Sequence, residues 1–174
     1  LNDQEQAVRT IHQDLQSLID ERFLDATPAK KAEPDSLAFL QEFFFLILFR
    51  SLFESLGFDK RRLSFYSELN FCIKGTITAA DNLFDDQAKS LLPLRHSAGA
   101  RFMSIMQLMC FERLTRRVCD RAADSGAIPR EKIDEVLRGL LSMMCSIGEL
   151  EGSEEKGAKE ILPPDVMIEK VHRV

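Results

Sequence analysis

Apolar residues recur three and four positions apart along most of this chain, which is the spacing of an amphipathic α-helix. The pattern predicts a first helix over residues 3–23, with Val8, Ile11, Leu15, Leu18, Ile19 and Phe23 on one stripe. A second helix is predicted to begin after Pro34, with Asp35 or Ser36 as its cap, and to end at Gly57. Its residues "LAFLQEFFFLILFRSLFESL" are apolar nearly all round, so we expect it to be central.

Further helical patterns follow. The third covers residues 59–93, with Gly75 as the place for a bend and Pro93 as its stop. A fourth is predicted over 100–124, a fifth over 129–150, and a sixth begins in "DVMIEKVHRV". No apolar alternation typical of strands and no internal repeat occurs. The sequence therefore predicts an all-α protein with one domain over 1–174.

Composition narrows the functional classes. The chain has 174 residues, of which 45% are hydrophobic, and a formal net charge of -5. This argues for a substantial folded core and against nucleic acid as a partner, because binding a phosphate backbone requires a basic face. The longest apolar run, "FFFLILF", is too short to span a bilayer, and no leader pattern opens the chain. We expect a cytoplasmic protein without a transmembrane segment. Its reduced cysteines are predicted in the core: Cys72, Cys110, Cys119 and Cys145.

The stretch "AADNLFDDQAK" places three carboxylates in a helical pattern. Asp81 and Asp85 are four residues apart and share a helix face, with Asp86 one step round. Like charges so placed repel, and a magnesium ion would remove that cost, since Mg²⁺ is commonly held by one or two carboxylates together with substrate phosphates. The alternative is a solvated acidic face on which Asp85 pairs with Lys89.

The residues around the carboxylates are compatible with either a cavity or close helix packing. The preceding "CIKGTITAA" is small and weakly polar, which leaves room for a cavity or allows close helix packing. Several phenylalanines supply either cavity walls or plain core: Phe39, Phe43, Phe44, Phe49, Phe71 and Phe84.

Other charged groups point less clearly to chemistry. The histidines His12, His96 and His172 lack the spacing of a zinc site. Arg95 and Arg101 could meet a phosphate or lie in solvent. A solvated, salt-bridged face is predicted for the cluster Arg113, Arg116, Arg117 and Arg121, which interleaves with Glu112, Asp120 and Asp124.

The acidic stretch resembles the D-D-x-x-D motif of the trans-isoprenyl diphosphate synthases, or polyprenyl synthetases. Asp81 and Asp85 occupy its first and fifth positions, and Asn82 stands in the second. "GARFMSIMQLMCFERL" is similar to the family's next core helix, and Gly148-Glu149 stands where the family has glycine-glutamine. "LPPDVMIEKVHRV" resembles the approach to its lysine-threonine-glycine motif. The resemblance covers about the first half of a typical member.

The resemblance implies an isoprenoid-synthase-like helical bundle around a central cavity, usually a homodimer. It implies a Mg²⁺-dependent prenyltransferase that condenses an allylic diphosphate with isopentenyl diphosphate. Asp81 and Asp85 would be catalytic and, with Asp86, hold the metal. The residues implied in substrate binding are Asn82, Lys89, Arg95 and Glu149, and those implied in lining the cavity are Ile73, Thr76, Ile77 and Phe84. The absence of an aromatic residue at 73, 76 and 77 favours a medium or long product.

Two alternatives stay open. "DNLFD" also satisfies the D-x-x-x-D spelling of phytoene and squalene synthases and of cyclising relatives. A non-catalytic helical partner of the same fold is the other alternative, because the family's arginine pair after the first motif is replaced by Lys89 and Arg95. We expect the 174 residues alone to be inactive, because one acidic helix supplies half of a two-sided metal clamp.

Overall fold

A computed structural model of the chain describes residues 2–25, 37–85, 87, 89–95, 99–155 and 163–172. Within them the protein is all-α, as predicted, and contains no strand. The helices are α1 (Asn2–Gln16), α2 (Leu37–Ser55), α3 (Lys60–Asp85), α4 (Ala100–Asp124), α5 (Arg130–Glu155) and α6 (Pro164–His172), with a short 3-10 helix at Glu21–Phe23. The residues fall into two compact units, Leu1–Ala127 and Ile128–Val174.

The core of the first unit is the contact between α3 and α4, against which α1 and α2 also pack. Four positions of α3 form the buried stripe towards α4: Cys72, Gly75, Ala79 and Asn82. At Gly75 the helices approach so closely that an added Cβ would overlap the ring of Phe111 on α4. The absence of a side chain at this position therefore sets the distance between the two helices.

Two helix ends differ from the prediction. The first helix ends at Gln16 rather than at 23, and Asp20 instead caps the 3-10 helix by accepting a hydrogen bond from the Arg22 amide at 2.9 Å. α3 ends at Asp85 rather than at Pro93, and the described residues that follow, 87 and 89–95, are not helical. There Leu94 forms an isolated antiparallel bridge with Leu24. Each of these two helices thus ends before its apolar pattern does.

The second and third helices correct two further predictions. α3 is helical through Gly75, and the non-helical backbone lies instead at Phe43 within α2, with φ -108° and ψ 16°. α2 is not central, because only Phe39, Phe43 and Leu46 are buried on it. The predicted bounds 100–124 of the fourth helix are confirmed.

The cysteines and arginines divide between core and surface. Cys72, Cys110 and Cys119 are buried, whereas Cys145 is exposed, so its predicted core position is wrong. Burial raises the pKa of the Cys72 thiol to about 12, which keeps it protonated. Arg121, which was predicted on a solvated face, instead contacts carboxylates of two other helices.

Arg121 links three helices. Its guanidinium donates to Asp14 on α1 at 2.8 Å and to Glu68 on α3 at 2.5 Å. The Glu68 side chain is only 8% exposed. Burial lowers the pKa of Arg121 and these two hydrogen bonds raise it, with a net increase. The ion pairs hold α1, α3 and α4 together while compensating a buried carboxylate.

Candidate functional site

The predicted metal ligands lie in the last two turns of α3. Asp81 and Asp85 are both exposed, and their i, i+4 spacing places the Cβ atoms about 5–6 Å apart on one face. Among the described residues no basic side chain forms an ion pair with either, so the alternative pairing of Asp85 with Lys89 is not formed. Gln87 Nε2 donates to Asp85 Oδ2 at 3.5 Å. Asp86 lies outside the described residues.

Asn82, unlike Asp81 and Asp85, is buried. It is 2% exposed on the face of α3 that packs against α4. The side-chain amide of Asn82 donates to the Lys89 backbone carbonyl at 2.7 Å. The backbone carbonyl of Asn82 accepts from the backbone amide of Gln87 at 3.1 Å. The side chain therefore ties the chain after α3 back to the helix. A direct substrate contact by Asn82 would require this hydrogen bond to break.

Two more buried or half-buried side chains hold the same segment. Gln107 on α4 donates to the Lys89 carbonyl at 3.1 Å and accepts from the Leu91 amide at 3.2 Å. His12 on α1 lies 3.2 Å from the Leu91 carbonyl through Nε2. We call Asn82, Gln107 and His12 the loop clamp. It fixes the backbone of Lys89 and Leu91, a few residues after Asp85, to three helices.

We expect Asn82→Ala to lower the free energy of unfolding by about 1–3 kcal/mol, because a buried hydrogen bond is lost in a packed site. Urea unfolding monitored by circular dichroism measures the change. Asn70→Ala is the matched control, since Asn70 is half-buried on the same helix. Equal effects at the two positions would mean that the contact with Lys89 contributes nothing particular to stability.

His12 makes the loop clamp sensitive to acid. Burial lowers the pKa of His12 from its ordinary value of 6.5, and the smaller effect of the hydrogen bond to Leu91 raises it. The unfolded chain therefore binds the proton more readily than the folded one. Stability should fall as the pH drops below 6.5 towards the lowered pKa of the folded state. Urea midpoints across this range should decline less steeply for His12→Gln than for the wild type; parallel curves would contradict the assignment.

The face that carries Asp81 also carries apolar side chains. Ile73, Ile77, Asp81 and Phe84 follow one another at spacings of four, four and three residues, so they form one stripe. Ile73 and Ile77 are half-buried, whereas Phe84 is 54% exposed. The acidic pair is thus flanked by accessible hydrocarbon, and the cavity expected at this face stays a prediction.

The other predicted site residues are less closely grouped. Thr76 is half-buried, and its hydroxyl donates to the Cys72 carbonyl at 3.0 Å, which satisfies it within the helix. Lys89 and Arg95 are exposed. The Lys89 carbonyl is held by the loop clamp and the Arg95 amide donates to the Phe23 carbonyl at 2.8 Å. The side chain of Glu149 lies outside the described part of the chain.

The described residues contain no group of three or more His, Cys, Asp or Glu side chains arranged to hold a metal. Asp81 and Asp85 therefore offer two carboxylates, which is too few for a metal bound by protein alone. Two carboxylates do fit Mg²⁺, which keeps several waters and completes its shell with substrate phosphates. The residues present are compatible with a metal that arrives with a diphosphate.

A cavity of about 240 Å³ lies at the other end of α3. Its lining includes Arg61, Ser64, Glu68, Val118 and Arg121. Glu68 lies thirteen residues before Asp81, which corresponds to about 20 Å along the helix. Arg121 pairs with Glu68 and Asp14, so these three charges compensate one another within the fold. We assign it a structural role.

Comparison with known proteins adds no relative. No family model, no curated protein and no solved structure matches this chain. The site is therefore interpreted from its own residues and from the resemblance of its motif. In the part of the chain that the structure describes, no helix is long and apolar enough to cross a membrane.

Sequence reasoning missed the loop clamp. The motif places Asn82 among the substrate-binding residues, and no sequence motif points to Gln107. A usable signal was present: Asn82 continues the register of Cys72, Gly75 and Ala79, which is the small-residue stripe that faces α4.

Proposed function

We propose that the protein is a Mg²⁺-dependent prenyltransferase that condenses an allylic diphosphate with isopentenyl diphosphate. The observation that carries the proposal is the exposed pair Asp81 and Asp85, which has no ion-pair partner among the described residues and stands at a helix end fixed by the loop clamp. An unpaired carboxylate pair on a rigid support suits a metal that brings its own anionic ligand.

The roles of the residues follow from that arrangement. Asp81 and Asp85 would hold Mg²⁺, which when bound neutralises a diphosphate and makes it a better leaving group. The loop clamp orients the acidic end of α3 by fixing residues 89–91. Ile77 and Phe84 offer apolar contact to a prenyl chain beside the carboxylates. Lys89 and Arg95 are exposed and available to the second diphosphate.

The test is product formation. The full-length gene product is incubated with labelled isopentenyl diphosphate, an allylic primer and Mg²⁺, and the extracted lipids are separated by chain length. We expect labelled prenyl diphosphate that disappears when a chelator replaces the metal. Products of head-to-head condensation from two allylic substrates would place the protein with the phytoene and squalene synthases instead.

A non-catalytic helical partner is the second candidate. The exposure of Asp81 and Phe84 favours it, because an allylic cation must be shielded from water and Phe84 is 54% exposed. Failure to bind Mg²⁺ and a diphosphate analogue together would support this function over the first.

A further inference from the structure

α2 contains a kink that its own sequence does not explain. Phe43, in the interior of the helix, has non-helical backbone angles, with φ -108° and ψ 16°, so residues 37–42 and 44–55 are separate helical segments. Sharp kinks occur at proline, at glycine or serine, at π-bulges, or where another side chain inserts into the backbone hydrogen bonds. Residues 37–50 contain no proline, glycine or serine and no π-helical turn. An inserted side chain is therefore the remaining cause.

Lys74 of α3 supplies such a side chain. Its Nζ donates a hydrogen bond to the backbone carbonyl of Glu42, the residue directly before the kink. The same Nζ lies 4.6 Å from the centre of the Phe43 ring, which is the geometry of a cation–π contact. In a regular α-helix the Glu42 carbonyl would accept from the amide of Leu46, and Lys74 offers this carbonyl a charged donor from another helix. One cation thus contacts both residues at the kink.

The segment 37–42, which we call the strap, is largely exposed. Five of its six side chains are exposed, and the sixth, Phe39, is buried. Phe39 packs on the Phe43 ring with 4.7 Å between the ring centroids, and Phe43 lies 6.2 Å from the ring of Phe71 on α3. A segment with few buried side chains opens at a lower free energy than the core beside it. We therefore expect the position of the strap to depend on the contact with Lys74.

The strap lies beside the turns of α3 that lead to the acidic pair. Two contacts set an antiparallel register between the helices: the rings of Phe53 and Tyr66 are 5.1 Å apart, and Lys74 binds the Glu42 carbonyl. Residue numbers fall along α2 as they rise along α3. The strap therefore runs from Lys74 towards the last turns of α3, which carry Asp81.

We propose that Lys74 is a latch that holds the strap at the kink, and that the strap detaches from α3 when this contact is lost. The two states differ in whether the Lys74 side chain binds the Glu42 carbonyl, and Phe43 is the hinge between them. Detachment exposes the flank of α3 that precedes Asp81, so the latch controls access to that side of the acidic pair. This inference concerns the fold of α2 and does not depend on the proposed enzymatic function.

The test is hydrogen exchange of the full-length gene product, measured by mass spectrometry on peptides from each helix. Lys74→Met keeps the length of the side chain but removes its charge and its donor. We expect exchange over residues 37–46 to become at least about tenfold faster, the order for loss of a hydrogen bond to a charged group, while α4 keeps its rate. Lys60→Met is the matched control, since Lys60 is exposed on the same helix, and it should leave the strap unchanged.

Lys74→Arg distinguishes the latch from a general loss of packing. Arginine keeps the positive charge and the donors, so exchange over residues 37–46 should stay close to that of the wild type. Wild-type exchange in Lys74→Met would overturn the proposal. So would an equal increase in Lys74→Arg and Lys74→Met, or an increase in Lys74→Met that is as large in α4 as in the strap.

Discussion

Gly75→Ala is expected to destabilise the protein by about 3 kcal/mol, the upper part of the range for overpacking a core. The added methyl group would overlap the ring of Phe111, which is fully buried and packs edge-on against Phe71. Alanine is otherwise a better helix former than glycine by about 1 kcal/mol. The overlap is the larger effect, so the net change is a loss of stability.

Gly139→Ala is the control for this prediction. Gly139 is exposed within α5, and an added Cβ there meets nothing within 4 Å. That substitution should raise the free energy of unfolding by roughly 0.5–1 kcal/mol. Adding Phe111→Leu to Gly75→Ala should recover part of the loss, which a double-mutant cycle measures. Equal stability of the two alanine variants would mean that α3 and α4 do not meet as described.

Asp81→Asn and Asp85→Asn are each expected to reduce prenyl transfer at least about a hundredfold, since metal-bound charge stabilisation is worth several kcal/mol. Each change keeps the side-chain size but removes one of the two charges. Because both side chains are exposed and make no ion pair among the described residues, thermal unfolding should change little.

The activity of these variants is followed with labelled isopentenyl diphosphate in the full-length gene product. Asp134→Asn serves as the control, because Asp134 is an exposed aspartate on α5. Transfer that proceeds equally in all three variants would remove Asp81 and Asp85 from the mechanism.

The helical pattern of the sequence predicts the interior of each element better than its ends. α4 begins and ends where its apolar spacing predicts, since its stripe meets α3 along its length. α3 stops eight residues before Pro93, because Asn82 and Gln107 bond to the Lys89 backbone and draw the chain out of the helix. Those contacts join distant positions, so local periodicity does not contain them.

Apolar composition alone also does not predict which elements pack against a helix. The nearly continuous apolar sequence of α2 predicts that this helix lies at the centre. Among the described residues one side of α2 packs against α3, while Phe44, Leu48 and Leu52 on its other side are exposed. Likewise, the i, i+4 spacing of Asp81 and Asp85 predicts a shared face, and whether that face meets a cavity depends on elements that the spacing does not specify.

Calorimetric titration of the full-length gene product with a non-hydrolysable allylic diphosphate analogue tests the central claim most directly. The account predicts binding that requires Mg²⁺ and that the double variant Asp81→Asn, Asp85→Asn abolishes. Binding of the analogue that is unchanged by this double substitution, or no binding in the presence of Mg²⁺, would contradict it.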